Sequence, residues 1–199
     1  MLSELMTKKL TKHFQFQDSN DDGFVEKADW EQCAKNLAAL RGWEPDTAEY
    51  KSILSQHLDI WMTNWQPADS DGDGKVALGE YLDLTKQIKD GTQPSAEPDE
   101  GDDENEEPKE SYLDRLFALF GTIFDTIDRN SDGKIDLDDY KEYFKAWNVD
   151  ESLAEGAFNS IDLNGDGILM RMSFIQFGSN FFLSDEESDF GNLLFGPLD

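Results

Sequence analysis

One cysteine, Cys33, in 199 residues leaves no internal disulfide and no thiolate zinc site. The two histidines, His13 and His57, are too few and too scattered for a histidine-rich metal centre. No apolar run approaches the roughly 20 residues of a membrane-spanning helix. Met1 to Thr11 carries no apolar stretch of signal-peptide length, so a cytoplasmic location is the expectation. Basic residues are scarce: 17 Lys and Arg stand against 44 Asp and Glu, a net charge of −27. Such a chain repels nucleic acid and anionic lipid, and attracts divalent cations or basic partners. A phosphate-binding loop, a Ser–His–Asp order and a Cys–His pair are all missing, so no enzymatic activity is expected. Acidity without aromatic residues would mean disorder. Here aromatics make up 12% of the chain and recur at helical spacing, which gives a core to bury.

What is present is a repeat. Four segments share acid, Asp or Asn two residues on, Asp, then Gly: Asp18-Ser-Asn20-Asp-Asp22-Gly23, Asp69-Ser-Asp71-Gly-Asp73-Gly74, Asp128-Arg-Asn130-Ser-Asp132-Gly133 and Asp162-Leu-Asn164-Gly-Asp166-Gly167. Two residues past each Gly lies an apolar residue, namely Val25, Val76, Ile135 and Leu169. Calcium is a hard cation that takes six to eight oxygens at roughly 2.3–2.6 Å, and a twelve-residue loop supplies them from positions 1, 3, 5, 7, 9 and 12. Position 7 contributes its carbonyl, so its side chain is free: Phe24, Lys75, Lys134 and Ile168. Position 6 must turn sharply, which suits Gly. Position 8 points inward and bridges to the partner loop. The pattern resembles the EF-hand loop. The fold class expected is all-α: four EF-hand helix–loop–helix units in two pairs, compactly packed, with short β-bridges between paired loops.

The four loops are unequal. Glu80 fills position 12 of the second, where both its oxygens reach the ion. With Asp69, Asp71, Asp73 and the Lys75 carbonyl it makes the best site, although Ala77 leaves position 9 to water. The first loop offers Asp18, Asn20, Asp22, the Phe24 carbonyl and Asp29; the third offers Asp128, Asn130, Asp132, the Lys134 carbonyl and Asp139. Asp at position 12 is one methylene shorter than Glu, which lowers the coordination number and makes both loops tolerant of Mg²⁺. Glu26 and Asp136 at position 9 partly compensate. The fourth loop has Ser173 at position 12 and Met170 at position 9, leaving Asp162, Asn164, Asp166 and the Ile168 carbonyl. It is expected to be empty or weak, kept because its bridge supports its neighbour. Two or three working sites follow.

Amphipathic stripes flank the loops. Leu5, Met6, Leu10, His13 and Phe14 line one, and Leu113, Leu116, Phe117, Phe120, Ile123, Phe124 and Ile127 another. The loop starts are 51 residues apart in the first pair and 34 in the second. The extra length lies in Asp46–Gln66, whose Tyr50, Ile53, Leu54, Leu58, Trp61, Met62 and Trp65 predict packing against the other half. Residues 97 to 110 hold nine acids and one Lys, with Pro94, Pro98 and Pro108 opposing helix nearby. The expected organisation is an EF-hand pair over 1–91, an acidic flexible linker over 92–110, a second pair over 111–183, and a tail over 184–199. That tail carries Phe190, Leu193, Leu194, Phe195 and Leu198. It either folds back on the body or serves as a ligand for another protein.

The long first pair, the tight second pair, the degenerate fourth loop and the ending Phe190-Gly-Asn-Leu-Leu-Phe-Gly-Pro-Leu198 together resemble the sarcoplasmic calcium-binding proteins, with calexcitin and calerythrin. That resemblance implies a compact helical body that buffers cytosolic Ca²⁺ and Mg²⁺ as a monomer without catalysis. A sensor exposing apolar surface to a protein target is the alternative. Binding of a small apolar ligand, as in the related coelenterazine-binding proteins, is a third.

Overall fold

The computed structural model describes residues 1–89 and 111–198; the linker expected over 92–110 lies outside them. Among the described residues, eight α-helices are joined by four short strands. Helix α1 (Glu4–Gln17) leads through β1 (Phe24–Glu26) to α2 (Lys27–Leu40), and α3 (Ala48–Ile60) leads through β2 (Lys75–Ala77) to α4 (Leu78–Lys89). The second half repeats this with α5 (Tyr112–Ile127), β3 (Lys134–Ile135) and α6 (Leu137–Ala146), then α7 (Glu151–Ile161), β4 (Leu169–Met170) and α8 (Arg171–Leu183). Ser3, Thr47 and Ser111 start α1, α3 and α5 by accepting a backbone N–H with the side-chain hydroxyl, which satisfies one of the donors a helix start leaves open.

The position-8 residues meet as expected. Val25 faces Val76 across the antiparallel β1–β2 pair, and Ile135 faces Leu169 across β3–β4. All four side chains are buried. Each bridge therefore ties two loops together and plugs the base of a lobe.

The Asp46–Gln66 segment is not one regular helix. After Ile60 the chain makes a π-turn over Trp61–Trp65 and a 3₁₀ turn over Gln66–Ala68. Pro67 has no N–H to continue the helical ladder. The wider turn buries both Trp61 and Trp65 and leaves Met62 outside. Two expectations need correction. Leu113 and Phe117 sit on the outer side of α5 and are exposed, as is Leu40 at the end of α2. Phe16 and Lys9, which the α1 stripe omitted, are buried.

Helices from the two halves share one core. Trp30 of α2 meets Trp147, just after α6, edge to face with ring centroids 4.8 Å apart. Close to the α5–α8 contact, Gly178 lets α8 approach so tightly that any Cβ there would run into the Phe120 ring. The chain past α8 turns back through a 3₁₀ turn, Phe190–Leu193, and buries Leu194 and Phe195. Phe195 lies 4.7 Å from His13, 5.1 Å from Phe16 and 5.0 Å from Phe181, measured between ring centroids. The Tyr140 hydroxyl donates to the Leu194 carbonyl, and Lys9 Nζ donates to the Ser184 carbonyl at 2.7 Å. Burial lowers the Lys9 ammonium to about 8, against the opposing pull of Asp189 and Asp185.

Both histidines are core residues. His13 Nδ1 lies 2.7 Å from the Tyr81 hydroxyl, and His57 Nδ1 lies 2.8 Å from the Ile53 carbonyl. Burial pushes their pKa values down, to about 3 and about 4. The folded state keeps the rings neutral where an unfolded chain protonates them near 6.5, so unfolding takes up protons and stability falls as the pH drops below that value. At pH 5 the penalty is about 2 kcal/mol per ring. Burial raises Asp139, to about 6, and Asp29, so these two oppose the trend. Denaturant unfolding of the metal-free protein at pH 7 and pH 5 should show a net loss for wild type. His57→Gln should lose about 2 kcal/mol less; equal losses would mean that His57 is not held neutral.

Candidate metal centre

Each loop begins where a helix ends. The N–H groups of Asp18, Asp128 and Asp162 close the last turns of α1, α5 and α7 on Phe14, Phe124 and Phe158 at 2.8–3.0 Å. Asp69 does the same on Gln66 at 3.1 Å. The first carboxylate of every loop is thus fixed by the helix before it.

The loop backbone then aims the oxygens. The Gly N–H at position 6 donates to the second oxygen of the first Asp in all four: Gly23 to Asp18 at 2.9 Å, Gly74 to Asp69 at 2.9 Å, Gly133 to Asp128 at 2.8 Å and Gly167 to Asp162 at 2.8 Å. These glycines have φ between +77° and +88°, a region costly for residues with a Cβ. Position 5 donates its N–H to the side-chain oxygen at position 3, at 2.9–3.3 Å, and position 7 donates to the carboxylate at position 5, at 2.9–3.0 Å.

Position 12 separates three loops from the fourth. Asp29 accepts the Glu26 N–H at 2.9 Å, Glu80 the Ala77 N–H at 2.9 Å and Asp139 the Asp136 N–H at 3.3 Å. Each carboxylate both caps its outgoing helix and closes its loop. Glu80 also accepts from the N–H and hydroxyl of Ser70. The Ala77 N–H and then Ser70 hold Glu80 below the usual carboxylate range. In the fourth loop Met170 precedes α8 and offers its start no side-chain cap. Asp162, Asn164 and Asp166 keep their places there around a cleft of about 250 Å³, with Met170 and Ser173 in its wall.

The arrangement fits a calcium ion. Oxygens of Asp69, Asp71 and Asp73 all lie within 4.8 Å of one another. Two ligands on opposite sides of an ion at 2.3–2.6 Å are about 5 Å apart, so these three can share one sphere. The first and third loops substitute an Asn oxygen at position 3. Lys75 was read only for its carbonyl. Its ammonium also reaches the first loop, 3.6 Å from Glu26 and 4.0 Å from Asp22, and lies over the Phe24 ring. Nothing in the loop spacing announced this cross-strand contact, which depends on the β1–β2 register.

Comparison with known proteins agrees with this geometry. The EF hand family model matches residues 120–145 and 153–169. Calerythrin from Saccharopolyspora erythraea is 22% identical over 85% of this chain and 87% of its own length. A sarcoplasmic calcium-binding protein from Hediste diversicolor is 27% identical over 98% of this chain and 99% of its own. The calcium-loaded apo form of the coelenterazine-binding protein from Renilla muelleri shares the fold, with a TM-score of 0.70 at 20% identity, covering 99% of this chain and 100% of that one. The chain has the EF-hand fold, and the relatives it resembles are calcium-binding proteins. Over nearly its whole length it is similar to sarcoplasmic calcium-binding proteins and calexcitin-1, and over 85% of it to calerythrin. Among the described residues no helix is long and apolar enough to cross a membrane.

Proposed function

We propose that this protein is a cytoplasmic, monomeric, non-enzymatic Ca²⁺ buffer with three working sites. The ions are held by Asp18, Asn20, Asp22, Phe24 and Asp29; by Asp69, Asp71, Asp73, Lys75 and Glu80; and by Asp128, Asn130, Asp132, Lys134 and Asp139. The loops ending in Asp29 and Asp139 also accept Mg²⁺. The fourth loop stays empty because Ser173 has no carboxylate to close it. In this reading 1–91 and 111–183 are the two EF-hand pairs, and 184–199 is the segment that seals them.

One observation carries the choice of buffer over sensor: Leu194 and Phe195 are already buried among α1, α6 and α8. A sensor must bare an apolar groove when calcium arrives, and here the chain's own end lies against those helices. The sensor reading draws on a different observation. Met170 and Met172 beside the fourth loop are 53% and 68% exposed, and Leu163 is 57% exposed. Fluorescence of an apolar dye separates the two. The buffer reading expects less than about a twofold gain when calcium is added, whereas a large calcium-dependent gain would favour the sensor.

A further inference from the structure

The far end of the helix leaving each half's first loop is braced against the first loop of the other half. Arg41 caps the end of α2, with its side chain only 3% exposed. Its Nε donates to Glu142 at 2.6 Å, and its Nη2 donates to the carbonyls of Thr126 at 2.9 Å and Ile127 at 3.3 Å. Those carbonyls immediately precede Asp128, the first acid of the third loop. Glu142 also faces Arg129 at 3.6 Å, and Arg129 lies 3.7 Å from Asp139, the acid that ends the same loop. One arginine from the first half thus touches the entry of the third loop and, through two side chains, its closing carboxylate.

The return brace has the same logic. Asn148 follows α6 with φ +59° and donates to the Ser19 carbonyl at 3.0 Å. Ser19 is the second residue of the first loop, and its hydroxyl donates to Asp29, the closing acid, at 2.9 Å. Between the two braces α2 packs on α6, with Asn36 donating to the Ala146 carbonyl at 2.7 Å. In the second loop the corresponding residue, Ser70, makes the same kind of bond to its own closing acid, Glu80.

We infer that the first and third loops bind calcium cooperatively, and that Arg41 and Asn148 are the positioning residues that couple them. This rests on the reading that both loops hold ions. An ion in one loop draws its closing carboxylate inward and fixes that loop's entry. The braces pass this ordering to the opposite loop, which then has less to order when its own ion arrives.

The test uses the full chain labelled with ¹⁵N. The Gly23 and Gly133 amides report the two loops separately, because each donates to the first acid of its own loop. Asp18→Ala should disable the first loop and shift the calcium midpoint at Gly133 upward about tenfold, within the usual range of coupling. In an Asn148→Gly background, which tolerates the left-handed backbone, that shift should shrink to about twofold. Arg41→Lys should shrink it likewise, and amide dispersion of both variants checks that they are folded. An unchanged Gly133 midpoint on Asp18→Ala, or the same tenfold shift in the folded Asn148→Gly and Arg41→Lys proteins, would overturn the coupling while leaving three sites intact. Silence of both amides toward calcium in wild type would overturn the site assignment itself.

Discussion

Replacing Phe195 by Ala should cost about 3–5 kcal/mol, the range for truncating a fully packed phenylalanine. Its ring is 3% exposed and touches His13, Phe16 and Phe181. The cavity has little means of collapse, because the Tyr140 hydroxyl pins the backbone next to it at Leu194 and Lys9 pins the segment further back at Ser184. For a domain of this size the loss corresponds to roughly 10 °C in melting temperature. Phe190→Ala is the control: that ring is 54% exposed, so the change should stay within about 0.5 kcal/mol. Thermal melts in saturating calcium read both variants. Equal, small effects would mean that the terminal segment lies on the surface and closes nothing. If Phe195→Ala also raises dye binding while Phe190→Ala does not, the terminal segment is what keeps the apolar interior covered.

Much of the candidate site was legible because coordination chemistry constrains spacing tightly. An ion that needs oxygens from alternate positions around a sharp bend leaves Asp, Asn, Asp and Gly at fixed offsets, and position 8 had to be apolar because it faces its partner across the bridge. The Val25–Val76 and Ile135–Leu169 pairs follow from that alone. Helix faces were less legible. On α5 the apolar residues cover more than one face, so periodicity could not tell that Leu113 and Phe117 point outward. The tryptophan-rich segment before the second loop hid its π-turn, because helical periodicity and a local shift of register look alike over five residues. Arg41 and Asn148 carried no local signal at all. Their partners lie 85 to 129 positions away, so only the packing of α2 on α6 brings them together.

The loops themselves dictate the second large effect. Without an ion, each working loop holds four or five carboxylates in close quarters, and Asp29 and Asp139 are raised further by burial. Bound calcium removes that repulsion and favours their charged forms. A ligand that binds only the folded chain stabilises it by about 2.7 kcal/mol per site at a hundredfold excess over Kd, so three sites give about 8 kcal/mol. Calcium should therefore raise the melting temperature by about 20 °C over the chelated protein. Glu80→Gln should remove one site's share, whereas Ser173→Ala should remove none.

Calorimetric titration of metal-free protein with calcium, paired with melts of the chelated and saturated forms, reads the account at its centre. Three ions per chain and a large upward shift in melting temperature are the expected result. Four equivalent tight ions would contradict the reading of Ser173. A protein that takes up no calcium and melts identically in chelator and in millimolar calcium would contradict the account as a whole.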